Sequence, residues 1–413
     1  MIAWLLISFF VLLFLGVPIA MSLGLSAIGG ILFLGGGSTV TIAQRMFEGM
    51  NSFALLAIPL YTFAGFTMSK GGISKRLMDF CYSIVGHIYG GLAHVNVLSS
   101  MIFAGISGSA VADTAGVSGM FMPEMVRKGY SKNFTVAVTA ISSTIGIIIP
   151  PSIPMVVIAG ICGISTGKLF LGGIIPGVLC GLAQMIVSYF MAKKEGVPKE
   201  PGHFTIGPVL HGLWESWPAL LMPIIIVGTI TMGIVSPTEA GVIAVVYGLF
   251  AGGIIYRELK WEDIKFAFAE TVRTSGRIFI VIGAAKLYTV MLTTAGFDKW
   301  VAKTMLGFST NPTVILIMIL LIFFIVTMFM ESIATLTLFM PILYPIALGV
   351  GINPIVLSVL ITVVIGVGLV TPPVGMCIYV ACDLMDVTVG EVFPTLVPFI
   401  AATFVCIALM VAF

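Results

Sequence analysis

Long apolar runs separated by short polar intervals fill this chain from end to end. A bilayer crossing takes about 20 apolar residues. Runs near that length lie at 2–35 (interrupted at Pro18), 51–69, 88–106, 109–126, 133–164, 169–192, 212–235, 237–257, 276–295, 312–329, 331–349, 353–386 and 391–412. Two of them are broken by a double proline: Gly146-Ile-Ile-Ile-Pro-Pro151 inside 133–164, and Gly368-Leu-Val-Thr-Pro-Pro373 inside 353–386. Proline removes a backbone donor and clashes with the preceding turn. A bilayer tolerates that only where the freed groups are buried in protein or line a cavity. The pattern predicts an all-α polytopic membrane protein with two broken helices, and such a break in both halves of a chain points to a binding site at membrane depth.

The long polar interval 193–211, with Lys193, Lys194, Glu195, Lys199 and Glu200, reads as a linker between a first half, 1–192, and a second, 212–413. The halves read as repeats. Pro150-Pro151 maps on Pro372-Pro373, and Pro176 on Pro398, with an offset of 222; Phe121-Met-Pro123 maps on Phe339-Met-Pro341 with an offset of 218. That register pairs Asp113 with Glu331 and Thr114 with Ser332. Each repeat is expected to hold a hairpin (about 88–126 and 312–349) followed by a broken helix (about 133–164 and 353–386). The loops carrying Lys70, Lys75 and Arg76, then Lys193 and Lys194, then Arg257, Lys260 and Lys265 are all cytoplasmic in one threading, which makes the linker cytoplasmic and the repeats inverted. Two amphipathic stretches, Thr39 to Met50 and Trp261 to Arg273, suit helices lying along the membrane surface or ordinary loops.

Composition narrows the function. Hydrophobic residues form 59% of the 413 and charged residues 9%, against roughly a quarter charged in soluble proteins. A net charge of +2 gives nucleic acid nothing to bind. The six cysteines sit in apolar stretches without metal or redox spacing and read as packing residues. No HExxH, Walker A loop or Gly-x-Ser-x-Gly elbow is present. The reading is of a transporter, not an enzyme, with an ion gradient as its source of energy.

The chemistry concentrates at the hairpins and breaks. The first hairpin carries Ser107, Ser109, Asp113, Thr114 and Ser118 among small residues. Ser107-Gly108-Ser109 reads as a buried turn whose hydroxyls and carbonyls suit Na⁺, and the helix start after it suits an anion; close helix packing is the competing reading. The second hairpin keeps Thr327, Glu331, Ser332 and Thr335. A carboxylate at this depth must be paired, protonated or facing water. Carbonyls between glycine and proline lose their helical donors. A pair of Na⁺ sites follows, one from Ser107, Ser109, Gly146, Ile149 and Pro151, the other from Thr327, Gly366, Gly368, Thr371 and Val374. Ser107, Ser109, Asp113, Ser152 and Glu331 are the candidate substrate contacts; a structural hydrogen bond to a helix end accounts for Asp113 and Glu331 equally well. Arg277 and Lys286 are the basic residues of the 276–295 segment, and Lys286 needs a carboxylate or water near it.

Leu15-Gly-Val-Pro-Ile-Ala20, Ser107-Gly-Ser-Ala-Val-Ala-Asp113, Ile148-Ile-Pro-Pro-Ser152, Phe329-Met-Glu-Ser332 with Met340-Pro341, and Thr371-Pro-Pro373 together closely resemble the large membrane subunit of tripartite ATP-independent periplasmic (TRAP) transporters, over essentially the full length. The resemblance implies membership of the ion transporter superfamily and an elevator mechanism. It also implies Na⁺-coupled import of organic acids, sialic acid and C4-dicarboxylates among them, across the bacterial inner membrane. A separate small four-helix membrane subunit and a periplasmic substrate-binding protein are its implied partners. Ser107 and Ser152 match hydroxyl positions linked to substrate in that family, and Glu331 stands where many relatives have Asp. The alternative is a stand-alone divalent-anion/Na⁺ symporter that needs no binding protein.

Overall fold

The computed structural model describes residues 1–35, 38–197 and 204–412; Lys199 and Glu200 of the expected linker lie outside them. Among the described residues the chain is helical, with no strand. The first half runs α1 (Ile2–Phe14), α2 (Ile19–Leu34), α3 (Thr39–Met50), α4 (Ala57–Lys70), α5 (Ile73–Val85), α6 (Gly91–Ser107), α7 (Ala110–Arg127), α8 (Lys132–Ser143), α9 (Ile153–Cys162) and α10 (Thr166–Glu195). The second half runs α11 (Ile206–Thr231), α12 (Pro237–Phe250), α13 (Trp261–Thr294), α14 (Phe297–Phe308), α15 (Pro312–Thr327), α16 (Ser332–Gly349), α17 (Pro354–Gly368), α18 (Met376–Met385) and α19 (Val389–Ala412).

Local sequence explains most boundaries. Pro18 interrupts the first apolar run and separates α1 from α2. Asn311-Pro312 and Asn353-Pro354 open α15 and α17 in the same way: the Asn side chain accepts from the first turn and proline occupies the first helical position, where its missing N–H costs nothing. Ser236 and Glu239 form a reciprocal cap at the start of α12.

Three elements differ from the sequence expectation. The amphipathic stretch 261–273 and the span 276–295 form one continuous helix, α13, because no proline or glycine cap interrupts them. Helices α5 and α14 follow turns at Gly72 and Gly296, and their mixed polarity conceals them from a search for apolar runs. The expected linker is also shortened, since α10 continues to Glu195 and α11 begins at Ile206.

Among the described residues seven helices are long and apolar enough to cross a membrane, alongside shorter apolar helices. Helix α10 shows how lipid replaces water as the outer solvent: Leu171, Ile175, Leu182, Ile186 and Phe190 are exposed at helical spacing. The packing has two centres, joined where α13 lies on α16 and α5 on α6. Helix α12 lies on α4, α13 on α2, α3 and α4, and α11 on α5, while both hairpins and both broken helices pack together with α10 and α19. Within the second group the halves exchange partners: α9 packs on α16, and α18 packs on α7.

Candidate functional site

Each hairpin tip meets the break of its own half. Helix α6 ends at Gly108, whose φ of +65° is left-handed and suits glycine. The Gly108 carbonyl accepts from Ile153 N at 3.2 Å, just past the first double proline. A Cβ on Gly108 would lie 2.6 Å from Pro151 O, so only glycine lets the tip come this close. The second half repeats the clasp: Met328 O, at the end of α15, accepts from Val374 N at 2.9 Å, just past the second double proline. Both Pro-Pro bonds are cis.

The helix ends correct the repeat register. Helices α7 and α16 both span 18 residues and begin 222 positions apart, and α8 and α17 also begin 222 apart. The 218-residue offset taken from Phe-Met-Pro is therefore one helical turn out, and Pro123 pairs with Pro345. Ser109 corresponds to Glu331, each the residue preceding its helix, and Asp113 corresponds to Thr335. A proline-containing helix offers more than one plausible match; the termini fix which is right.

The first tip is polar and closed. Ser109 caps α7 through Ala112 N at 3.4 Å, and Ser109 N donates to Ser107 Oγ at 3.3 Å. Ser107 donates to Asp113 Oδ1. Asp113 is fully buried, and its other oxygen has no hydrogen-bond partner among the described residues. That oxygen faces Gly146, where a Cβ would overlap it and would lie 3.4 Å from Ser109 O. The Cys377 thiol lies beside Asp113 and Thr114. Of the expected first cation set, Ser107, Ser109, Gly146 and Pro151 gather in one place, with Asp113 of the expected substrate set among them, while the Ile149 side chain lies against Gly177 of α10. Ser152 closes the break itself: its hydroxyl donates to Ile147 O at 2.5 Å and accepts from Met155 N at 3.3 Å.

The second tip is Met328-Phe-Met-Glu331. Glu331 is half-buried; its carboxylate accepts from Ser332 Oγ at 3.4 Å and faces the amides of Ile333 and Ala334 without forming a capping bond. Thr327 Oγ1 donates back to Phe323 O at 2.6 Å, and Thr371 Oγ1 to Val367 O at 2.7 Å. A Cβ on Gly368 would lie 2.7 Å from Thr327 Cβ, so hairpin and break are in direct contact here too. Gly366 faces Thr144 of the first half instead, 3.4 Å from the Thr144 Cβ by the same measure. These two residues are each other's counterparts in the repeat, and counterparts touch only near an axis relating the halves. No basic side chain among the described residues bears on Asp113 or Glu331.

Lys286 does not reach this site. Its stem lies against Gly49 of α3, and its charge acts on Glu48. The hydrogen bond from Arg45, 2.7 Å away, with a smaller contribution from Lys286, holds the Glu48 carboxyl below its ordinary value. Arg277 is exposed on α13.

A buried polar network escaped the sequence reading. Asn96 donates to Thr139 Oγ1 at 2.7 Å and accepts from Ser142 Oγ at 3.1 Å, and Ser100 donates to Ser142 Oγ at 3.0 Å. Gln184 joins from α10 through Ile141 O at 3.4 Å. Asn96 and Gln184 are isolated amides in apolar runs; their side chains needed partners at that depth, and this was the available signal.

The family model described as tripartite ATP-independent periplasmic transporter, DctM component, matches residues 6–413. The chain is 37% identical over 393 residues to the isethionate TRAP transporter permease DctMQ of Oleidesulfovibrio alaskensis, covering 95% of this chain but 62% of that protein. It is 34% identical over 402 residues to the sialic acid TRAP transporter large permease SiaM of Vibrio cholerae, covering 97% and 94% of the two chains. In fold it resembles the YdaH transporter of Alcanivorax borkumensis, with a TM-score of 0.61 at 13% identity, covering 90% of this chain and 86% of that one. The relatives are named as permeases and not as enzymes. The chain therefore belongs to the DctM family, the large permease component of the TRAP transporters, and is a multi-pass protein of the inner membrane.

Proposed function

We propose that this protein imports a small organic acid anion by Na⁺ symport, as the large membrane subunit of a three-part system. A periplasmic binding protein delivers the substrate, and a small membrane subunit supports the scaffold. The carrying observation is the repeated clasp, Gly108 O with Ile153 N and Met328 O with Val374 N. It sets two hairpin–break junctions in one helical group, related by exchanged contacts. Such a pair of junctions supports two Na⁺ sites in inverted repeats with the substrate centre between them. The packing of both hairpins and both breaks together with α10 and α19 supports an elevator, in which that group moves against α2, α3, α4, α12 and α13 across the faces where α13 meets α16 and α4 meets α6. Relatives named for isethionate and for sialic acid support an acid anion as substrate. The capped α7 start is where such an anion would be read.

The test is uptake of labelled sialic acid and labelled isethionate into proteoliposomes holding this chain, the small subunit and the binding protein. Uptake of at least one is expected only under an inward Na⁺ gradient, and a Na⁺ ionophore should abolish it. Uptake that proceeds at full rate without Na⁺ would sink the proposal. Full-rate uptake without the binding protein would favour the stand-alone symporter.

A further inference from the structure

We propose that a membrane phospholipid docks on the seam between the two halves, with an acyl chain in the groove between α10, α17 and α19 and its phosphate on Lys168. Three observations carry it.

The first is the groove. It holds about 650 Å³ between one helix of the first half and two of the second. Gly172, Pro176 and Leu179 of α10, Val356 and Val359 of α17 and Leu409 of α19 line it, and no lining side chain is polar. A Cβ on Gly172 would lie 3.1 Å from Val359 Cγ2, so α10 and α17 meet at this glycine. Leu171 and Ile175, beside the lining residues of α10, belong to its exposed, lipid-facing stripe. The groove is thus continuous with surface that already meets lipid.

The second is the contrast with the equivalent seam on the other side of the repeat. The offset of 222 pairs Val356 with Phe134, and Gly177 with Phe399. Phe134 and Phe399 are fully buried, and their rings stack with centroids 6.3 Å apart. In place of these two rings the second seam has a valine that is 45% exposed and a glycine. The protein fills one seam with its own side chains and leaves the other unfilled. An unfilled apolar lining forfeits its dispersion contacts, and in a bilayer the apolar group at hand to restore them is an acyl chain.

The third is the charge at the end of the groove. Lys168, Gly172, Pro176 and Leu179 follow one another at helical spacing and share one face of α10. Lys168 is exposed and makes no ion pair among the described residues. From Lys168 to Leu179 the helix rises about 16 Å, which is close to half of a hydrocarbon core of about 30 Å. A cation above an apolar groove one leaflet deep matches a phosphate above its acyl chain.

The experiment is photolabelling of the complete complex, small subunit included, in nanodiscs that contain phosphatidylglycerol or diacylglycerol with a diazirine at mid-chain. Adducts are mapped by peptide mass spectrometry. In wild type, phosphatidylglycerol is expected to label the groove several-fold more than the open face of α10 at Leu182 and Ile186. Val356→Phe restores the ring of the other seam and should reduce groove labelling to the level of that face. Lys168→Gln should lower groove labelling by phosphatidylglycerol about fivefold, the worth of one lysine at an anionic membrane surface, and leave labelling by diacylglycerol unchanged. Groove labelling no stronger than that of the open face, or unaltered by Val356→Phe, overturns the proposal. So does labelling that appears only when the small subunit is left out, which would make a helix of that subunit the occupant. Should Val356→Phe not yield a monodisperse complex, the exposed Lys168→Gln decides, and phosphatidylglycerol labelling that it leaves unchanged overturns the proposal.

Discussion

The two hairpins share an architecture and differ in chemistry. Both end one residue short of a carbonyl that accepts from the backbone just past a double proline. Around the first clasp lie Ser107, Ser109 and a sealed Asp113; around the second lie Met328, Phe329 and Met330, with Glu331 half-buried. The contrast extends into the core. Asn96, Ser100, Thr139, Ser142 and Gln184 link α6, α8 and α10. The second-half positions that correspond by helix ends are Leu316, Leu320, Ile361, Val364 and Cys406, all buried and apolar or nearly so. Backbone geometry is what the repeat preserves, because proline and glycine dictate it. Side-chain chemistry has diverged, so two junctions of one shape are lined differently.

The strongest challenge to this comparison is to fill the junctions. Gly146→Leu and Gly368→Leu each place a side chain where Asp113 Oδ2 or Thr327 already sits. Both should abolish Na⁺-dependent uptake while leaving the complex assembled in detergent. Residual Na⁺-driven transport in either would remove that junction from the mechanism.

The polar core comes next. Asn96→Leu removes the amide's hydrogen bonds to Thr139 and Ser142 and should cost about 1–3 kcal/mol in unfolding. Leu320→Ser, the reciprocal change in the second half, buries an unmatched hydroxyl in an apolar site and should cost a comparable amount, about 1–3 kcal/mol. If thermal unfolding shows either change to be neutral, the two cores are less different than their hydrogen bonds indicate.

Ser152→Ala removes the cap of α9 and the link to Ile147 O, for a cost of about 1 kcal/mol. The same variant tests a substrate role, because a cap alone leaves substrate affinity unchanged. The smallest effect on unfolding is expected from Arg45→Ala at the exposed Arg45–Glu48 pair, because solvent screens such pairs. It should raise the Glu48 pKa from its lowered value. The stabilisation from that pair is present above the unfolded-state pKa and is lost as pH falls through the folded one, and NMR titration of Glu48 would measure the shift.

Sequence alone determined the class of the molecule, the places of its breaks and the polar residues near them. Those features follow from local rules: lipid admits only long apolar helices, proline cannot donate, and glycine permits close approach. The amphipathic α5 and α14, the continuity of α13 and the register of the hairpins were not legible, because tertiary packing and helix ends decide them. The tertiary structure also decided what each polar residue does. Ser152 reads as a ligand in the sequence and caps a helix in the fold. Asp113 and Glu331 read as a pair, yet one is sealed beneath Ser107 while the other stands half-buried at a tip. A residue's type is written in the chain, but its partners and its access to solvent are properties of neighbours far away in sequence.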